Sequence, residues 1–263
     1  MTAPVRRNGF ALLMTLWLLV PMALSLLVLS GAARSSAEVA SNLEIAASLQ
    51  GAADGGIETA LAGLLAEGRA ASPIRLAIGA ASVTVVVEPL SGLLNPNLAS
   101  LELLRSLLVL AGAAPARADL LATAIVEWRS PGQSRRAGST KAAEYRSAGL
   151  EYGPPGAPFE TVSELLDVLG MTPAIFTALR PTLSLFTDRP PIPELAPPLL
   201  RNALRALGGS LAPSVNGGTV FRIVAVATGQ GRASVSREAV IQLSPAARPW
   251  RVLSWETVSP EIV

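Results

Sequence analysis

The residue types that do most hydrolytic and redox chemistry are scarce in this sequence or missing from it. Its 263 residues include no cysteine and no histidine. Thiolate nucleophiles, disulfides, imidazole acid–base pairs and metals held by Cys or His are thereby excluded. The four aspartates, Asp54, Asp119, Asp167 and Asp188, lie far apart in the chain. Asn95 and Asn97 in an Asn-Pro-Asn run could act as oxygen ligands, but turn formation accounts for both. Glu160 and Glu164 sit at helical spacing just ahead of an apolar run. There they favour a helix N-terminus through its dipole. This inventory leans away from an enzyme, and it names no catalytic, cofactor-binding or metal-ligating residue.

Phosphate recognition is the other chemistry to weigh. Residues 165–183, LLDVLGMTPAIFTALRPTL, resemble a helix-hairpin-helix, in which a glycine-containing hairpin offers backbone amides to a phosphate. Arg180 is the one basic residue within that stretch, and Arg135-Arg136 lie in a polar segment upstream. Two readings stay open, a helix-pairing corner or a membrane-anchored DNA-binding motif of a transformation system. Charge favours the first. Lys and Arg number 21 against 19 Asp and Glu, and a net +2 is too small to mark a polyanion partner. Half of the residues are hydrophobic and 15% are charged, which predicts an ordered chain.

The elements that must position anything begin with an apolar run. Residues 10–33, FALLMTLWLLVPMALSLLVLSGAA, are 24 positions without a charge. As a helix they would reach about 36 Å, against a bilayer core of about 30 Å. Arg6 and Arg7 precede the run and predict a cytoplasmic start. A cleavable secretory signal, a plain uncleaved anchor and a processed membrane helix all compete here. The third rests on Arg6-Arg7-Asn8-Gly9-Phe10, a basic leader ending in glycine before a phenylalanine that opens the apolar run. This resembles the processing site of type IV pilin-like proteins. The resemblance implies cleavage between Gly9 and Phe10 by a prepilin peptidase and methylation of the new amino terminus.

A helix is predicted to continue beyond the run. Val39, Leu43, Ala46 and Ala47 recur at spacings of three and four, and Ala53, Ile57, Leu61, Leu64 and Leu65 extend the same face. Pro21 should kink this helix, Gly55-Gly56 should weaken it, and Gly68 and Pro73 should end it. Further on, LSGLLNPNLASLELLRSLL (90–108), AIVEWRSPG (124–132) and PFETVSELLDVLGMTP (158–173) accompany ADGGIETAL (53–61) and the closing FRIVAVATGQG and PWRVLSWE. With the processing site, these segments resemble the K-type minor pseudopilins of the type II secretion system. Met14 stands where pilins carry glutamate at the fifth mature position. K-type subunits share that absence, which suits the end of a fibre.

The resemblance implies an α+β, type IV pilin-like fold, with a long N-terminal transmembrane helix, a small antiparallel sheet and a large α-helical insertion. It divides the chain into a leader (1–9), a membrane part (10–33), the periplasmic helix with the first strands (34–94), an insertion (95–215) and the closing strands (216–263). Pattern alone places strands at 74–79, 82–90, 182–187, 221–228, 233–243 and 250–255. It places helices from Ser100, from Pro115 to about Trp128 with Leu120 on its stripe, after Thr161 or Ser163, from Pro173, and at 199–207. It leaves 130–157 as a surface loop. By the resemblance the protein is a single-pass inner-membrane subunit, mostly periplasmic, at the pseudopilus tip. Its expected partners are I- and J-type minor pseudopilins, the prepilin peptidase and the assembly platform. Met14, Val39, Leu43, Ile57 and Leu61 are the expected assembly contacts. Some relatives bind calcium in the pilin-like part, yet residues 216–256 here hold just two carboxylates, Glu238 and Glu256. No cofactor and no nucleic acid are expected.

Overall fold

The computed structural model describes residues 8–67, 72–130, 140–208, 219–229, 233–244 and 250–259. Residues 1–7 of the expected leader and the Arg135-Arg136 segment lie outside the described residues.

One helix, α1 (Asn8–Glu67), opens the chain and contains both Pro21 and Gly55-Gly56. A hairpin follows, β1 (Ile74–Ile78) and β2 (Ala81–Pro89). The chain then leaves the sheet, and returns as β3 (Val220–Thr228), β4 (Ser234–Leu243) and β5 (Trp250–Val258). The five strands form one antiparallel sheet in the order β1-β2-β3-β4-β5. β2 and β3 pair from Ser82↔Thr228 to Pro89↔Phe221, so the excursion between them does not disturb the meander.

The second half of α1 lies on this sheet. Ala53, Ile57, Ala60 and Leu64 pack on Val83, Val85, Ile223, Ala225, Ala239 and Ile241. Alternation along each strand supplies one apolar face, and alanines on β3 and β4 keep that face low. Gly56 faces it where a β-carbon would come within 2.8 Å of Val83 Cγ1 and 3.0 Å of Val85 Cγ2. The glycine pair expected as a weak point is therefore, at Gly56, a place where helix and sheet approach closely.

A second core fills the excursion. α2 (Leu101–Leu110) and α3 (Pro115–Arg129) form a hairpin, joined by α4 (Thr140–Ser147), α5 (Pro173–Leu179) and α6 (Pro198–Ala206). Leu104, Leu107, Leu121, Ile125, Leu165 and Leu200 lie at its centre. Local signals set the helix starts. Ser100 Oγ accepts from Leu103 N–H at 3.2 Å, and Pro115 opens α3. Thr161 and Glu164 form a capping box on the 3-10 segment Val162–Asp167, with Thr161 N–H donating to Glu164 Oε1 at 2.7 Å.

Three expectations change. Residues 182–187 are not a strand. They make a single parallel bridge, Leu94↔Leu183, because the Asn95 side chain takes the Leu185 and Thr187 carbonyls that a ladder would use. The segment 130–157 is not all loop, since α4 lies within it and buries Tyr145. Leu120, placed on the buried stripe of α3, is 73% exposed, and Ala118, Leu121, Ala122, Ile125 and Trp128 form the buried face instead.

Candidate assembly surface

The helix α1 changes character along its length. Every described residue from 13 to 25 and from 35 to 48 is exposed, and burial begins at Leu49. Over 35–48 the sequence SSAEVASNLEIAAS is mostly small residues, with Val39, Leu43 and Ile45 as its large apolar side chains. Small residues allow a second helix to approach closely, and the apolar ones reward it. Ile45 stands off the Val39–Leu43 stripe, so spacing alone did not select it.

The expected contact residues divide at that boundary. Met14, Val39 and Leu43 are exposed, Leu43 at 66%. Ile57 is fully buried and Leu61 is 8% exposed, both beneath the sheet. Ile57 and Leu61 therefore serve this chain's own core and are withdrawn from the contact surface. Periodicity did not separate them from Val39 and Leu43, because one helical face serves both. The Gly9 and Phe10 side chains lie outside the described set. Among the described residues no helix is long and apolar enough to cross a membrane. Residues 8–12 and 26–34 of α1 contribute no described side chains.

Asp54 fixes the sheet to the helix next to that boundary. Its Oδ1 accepts from Arg237 Nε at 2.8 Å and from Trp255 Nε1 at 3.0 Å. One carboxylate on α1 thus ties down β4 and β5, and Arg237 also donates to Thr257 Oγ1 at 2.7 Å. The motif ADGGIETAL becomes legible residue by residue: apolar contact at Ala53, ionic tie at Asp54, close approach at Gly56, core at Ile57. Spacing marked Ala53 and Ile57 as apolar positions of one face; the tie at Asp54 and the close approach at Gly56 were not foreseen.

Asparagines and aromatics hold the excursion. Asn95 Nδ2 donates to the Leu185 and Thr187 carbonyls, at 3.1 and 2.7 Å. Asn97 bonds Phe159 in both directions, Nδ2 to its carbonyl at 3.0 Å and its N–H to Oδ1 at 2.8 Å. Both asparagines are structural ties, beyond the turn expected of them. Trp128 stacks on Phe159 at 6.0 Å between ring centres, with Tyr145 and Tyr152 against it. The Arg129 guanidinium donates to the Pro96 and Ala99 carbonyls, and burial lowers its pKa. Burial raises the Tyr145 pKa, outweighing the Leu169 N–H that donates to its hydroxyl at 3.0 Å.

That last bond bears on the hairpin at 165–183. Its Leu169 amide is spent on Tyr145, and its Met171 amide on the Val168 carbonyl. Gly170 takes the left-handed φ of 86° that the corner needs, and its carbonyl accepts from Arg117 at 2.8 Å. Amides used internally are not presented to a phosphate, which supports the helix-pairing reading.

The two carboxylates of 216–256 do not make the cluster of oxygen ligands that a calcium ion needs. Glu238 and Glu256 face each other across β4 and β5, and Arg222, ion-paired with Glu88, supplies the nearby counter-charge. Glu238 has a raised pKa, chiefly from burial, with Arg222 opposing and Glu256 and Glu88 adding to the shift. Among the described residues no group of three or more Asp or Glu could hold a metal ion.

Comparison with known proteins adds two findings. Residues 85–188 match the family described as type II secretion system (T2SS), protein K. The chain is also similar to a chain of the crystal structure of the GspK-GspI-GspJ complex from the enterotoxigenic Escherichia coli type 2 secretion system. There the TM-score is 0.59 at 17% identity, over 86% of this chain and 99% of that one. At that identity the likeness shows the fold. No curated protein sequence matches the chain. Family and fold agree with the resemblance read from the sequence, type II secretion protein K.

Proposed function

From residues 85–188, identified as a domain of the type II secretion protein K family, we propose that this chain is the minor pseudopilin at the tip of a type II secretion pseudopilus. It initiates fibre assembly and is not an enzyme. The observation that carries the reading is the first part of α1, an apolar helix whose described residues up to Ser48 find no cover within the chain. Exposed apolar surface of this extent implies a partner or a membrane. Residues 10–33 serve the membrane before assembly, anchored by Arg6 and Arg7 on the cytoplasmic side. Val39 and Leu43 serve helices of I- and J-type subunits; the chain similar in fold is part of a GspK-GspI-GspJ complex. The prepilin peptidase cuts between Gly9 and Phe10, the new terminus is methylated, and the bulk of the chain is periplasmic. Met14 leaves the fifth mature position without a carboxylate, so this subunit has nothing with which to neutralise the terminus of another beyond it.

The test is co-expression of the full chain with its I- and J-type neighbours, followed by detergent extraction and affinity capture. The expected result is a complex in which this chain begins at Phe10 by mass spectrometry. A chain that keeps Met1, or one captured without either neighbour, overturns the reading.

A further inference from the structure

We propose that the helical excursion is set at one fixed angle on the sheet by a mount built from Ser91 and Gly92, which act as positioning residues. Segments joined by two chain crossings move relative to each other unless something locks them. Here the crossings are locked to each other and to the excursion. Leu90 N–H donates to the Val220 carbonyl at 2.8 Å, and Val220 N–H donates to Ser91 Oγ at 3.0 Å. The outgoing and returning strands are thus bonded where each leaves the sheet. Ser91 also reaches into the excursion, its carbonyl accepting from Ile192 N–H at 2.8 Å. One residue therefore bonds the returning strand with its side chain and the excursion with its backbone.

Gly92 closes the joint. It is buried, and a β-carbon there would run into the Leu195 carbonyl group and lie 2.8 Å from Ala196 N. Those neighbours are backbone, which cannot swing aside as a side-chain tip can. Two residues on, Leu94 exchanges backbone bonds with both sides of Leu183: Leu94 N–H to the Thr182 carbonyl at 2.9 Å, Ser184 N–H to the Leu94 carbonyl at 3.0 Å. Leu90, Val220 and Val240 form a small apolar cluster beneath the same joint. Bonds, close backbone contact and apolar cover coincide within five residues of sequence, Leu90–Leu94. A mount of this kind makes the excursion follow α1 as a rigid body. It is a property of the single chain, so its test needs no partner and can fail while the assembly reading stands.

The chain has no cysteine, so introduced labels are unique. Spin labels at Glu58→Cys on α1 and Leu120→Cys on α3, both exposed positions, report the angle by pulsed electron resonance on the full chain in detergent. One narrow distance peak is expected. Gly92→Val should shift that peak or widen it about twofold, as the two parts regain the relative motion that is their default. Ser91→Ala, which removes one bond and adds no bulk, should widen it less. Gly63→Ala, where nothing lies within 4 Å of the added carbon, should leave it unchanged. Circular dichroism checks that each variant is folded. If Gly92→Val does not fold, Ser91→Ala decides. A broad peak in the parent, or an unchanged peak in folded Ser91→Ala and Gly92→Val, overturns the proposal.

Discussion

The two halves of α1 carry similar apolar spacing and opposite environments. Leu43 is 66% exposed, whereas Ile57, on the same expected stripe, is fully buried. A stripe therefore shows that a helix face will be covered, and not by what. The second half is covered from within the chain because β2, β3 and β4 supply a low, complementary face and Gly56 lets it come close. Among the described residues no such face covers the first half. Position along one helix thus separates residues that serve the chain's own core from residues left exposed.

Truncation on either side of the boundary sharpens this contrast most. Ile57→Ala should cost about 2–5 kcal/mol, because the cavity is sealed by the sheet. Leu43→Ala should stay within about 0.5 kcal/mol in the isolated chain while weakening capture of its partners. Thermal unfolding reads the first effect and co-purification the second. Equal losses of stability would end the distinction between the halves.

Asp54→Ala comes next. It leaves Arg237 Nε and Trp255 Nε1 without their acceptor, and Arg237 is largely buried, with a side chain 13% exposed. A loss of about 1–3 kcal/mol is expected in denaturant unfolding. Two glycines of α1, Gly56 and Gly63, should then respond differently. Gly56→Ala gains about 1 kcal/mol of helix propensity but forces a β-carbon into Val83, an overpacking cost of about 1–3 kcal/mol. It should be neutral to destabilising by about 2 kcal/mol. Gly63→Ala meets nothing and should keep the full gain of about 1 kcal/mol. The same melting experiment reads both.

The smallest effect is a pH dependence on the opposite side of the sheet. Glu238 has a raised pKa in the folded chain, mainly from burial. The folded state therefore holds its proton more tightly than the unfolded state. Between the unfolded and folded pKa values, stability falls as pH rises. Glu238→Gln should remove that decline and slightly stabilise the chain at neutral pH. Melting curves above and below the usual glutamate range check this. A steeper decline in the variant would reverse the assigned sign.

Much of the fold was legible because its signals are local. Ser100, Pro115 and the Thr161–Glu164 pair announce helix starts within a few residues of themselves. The closing strands alternate where they should. The remainder depended on distant partners. TLSLFT has the pattern of a strand, yet its Leu185 and Thr187 carbonyls are taken by Asn95, 90 and 92 residues earlier. α4 reads as polar loop until Trp128 and Leu169 give Tyr145 a buried place. Gly56 looks like helix weakness unless Val83 and Val85 are known to face it. On the surface, Val39 and Leu43 were legible as apolar positions, and the exclusion of Ile57 and Leu61 was not.

The indole rings give the molecule an optical record of its own unfolding. Trp128 is stacked in the core of the helical excursion, whereas Trp255 is bonded to Asp54 between β5 and α1. Each core thus carries its own fluorophore in a distinct environment. Substituting either one by phenylalanine isolates the emission of the other against a background from the exposed Trp17 and Trp250. Two emission curves from one heated sample then tell whether the cores melt in concert or in turn.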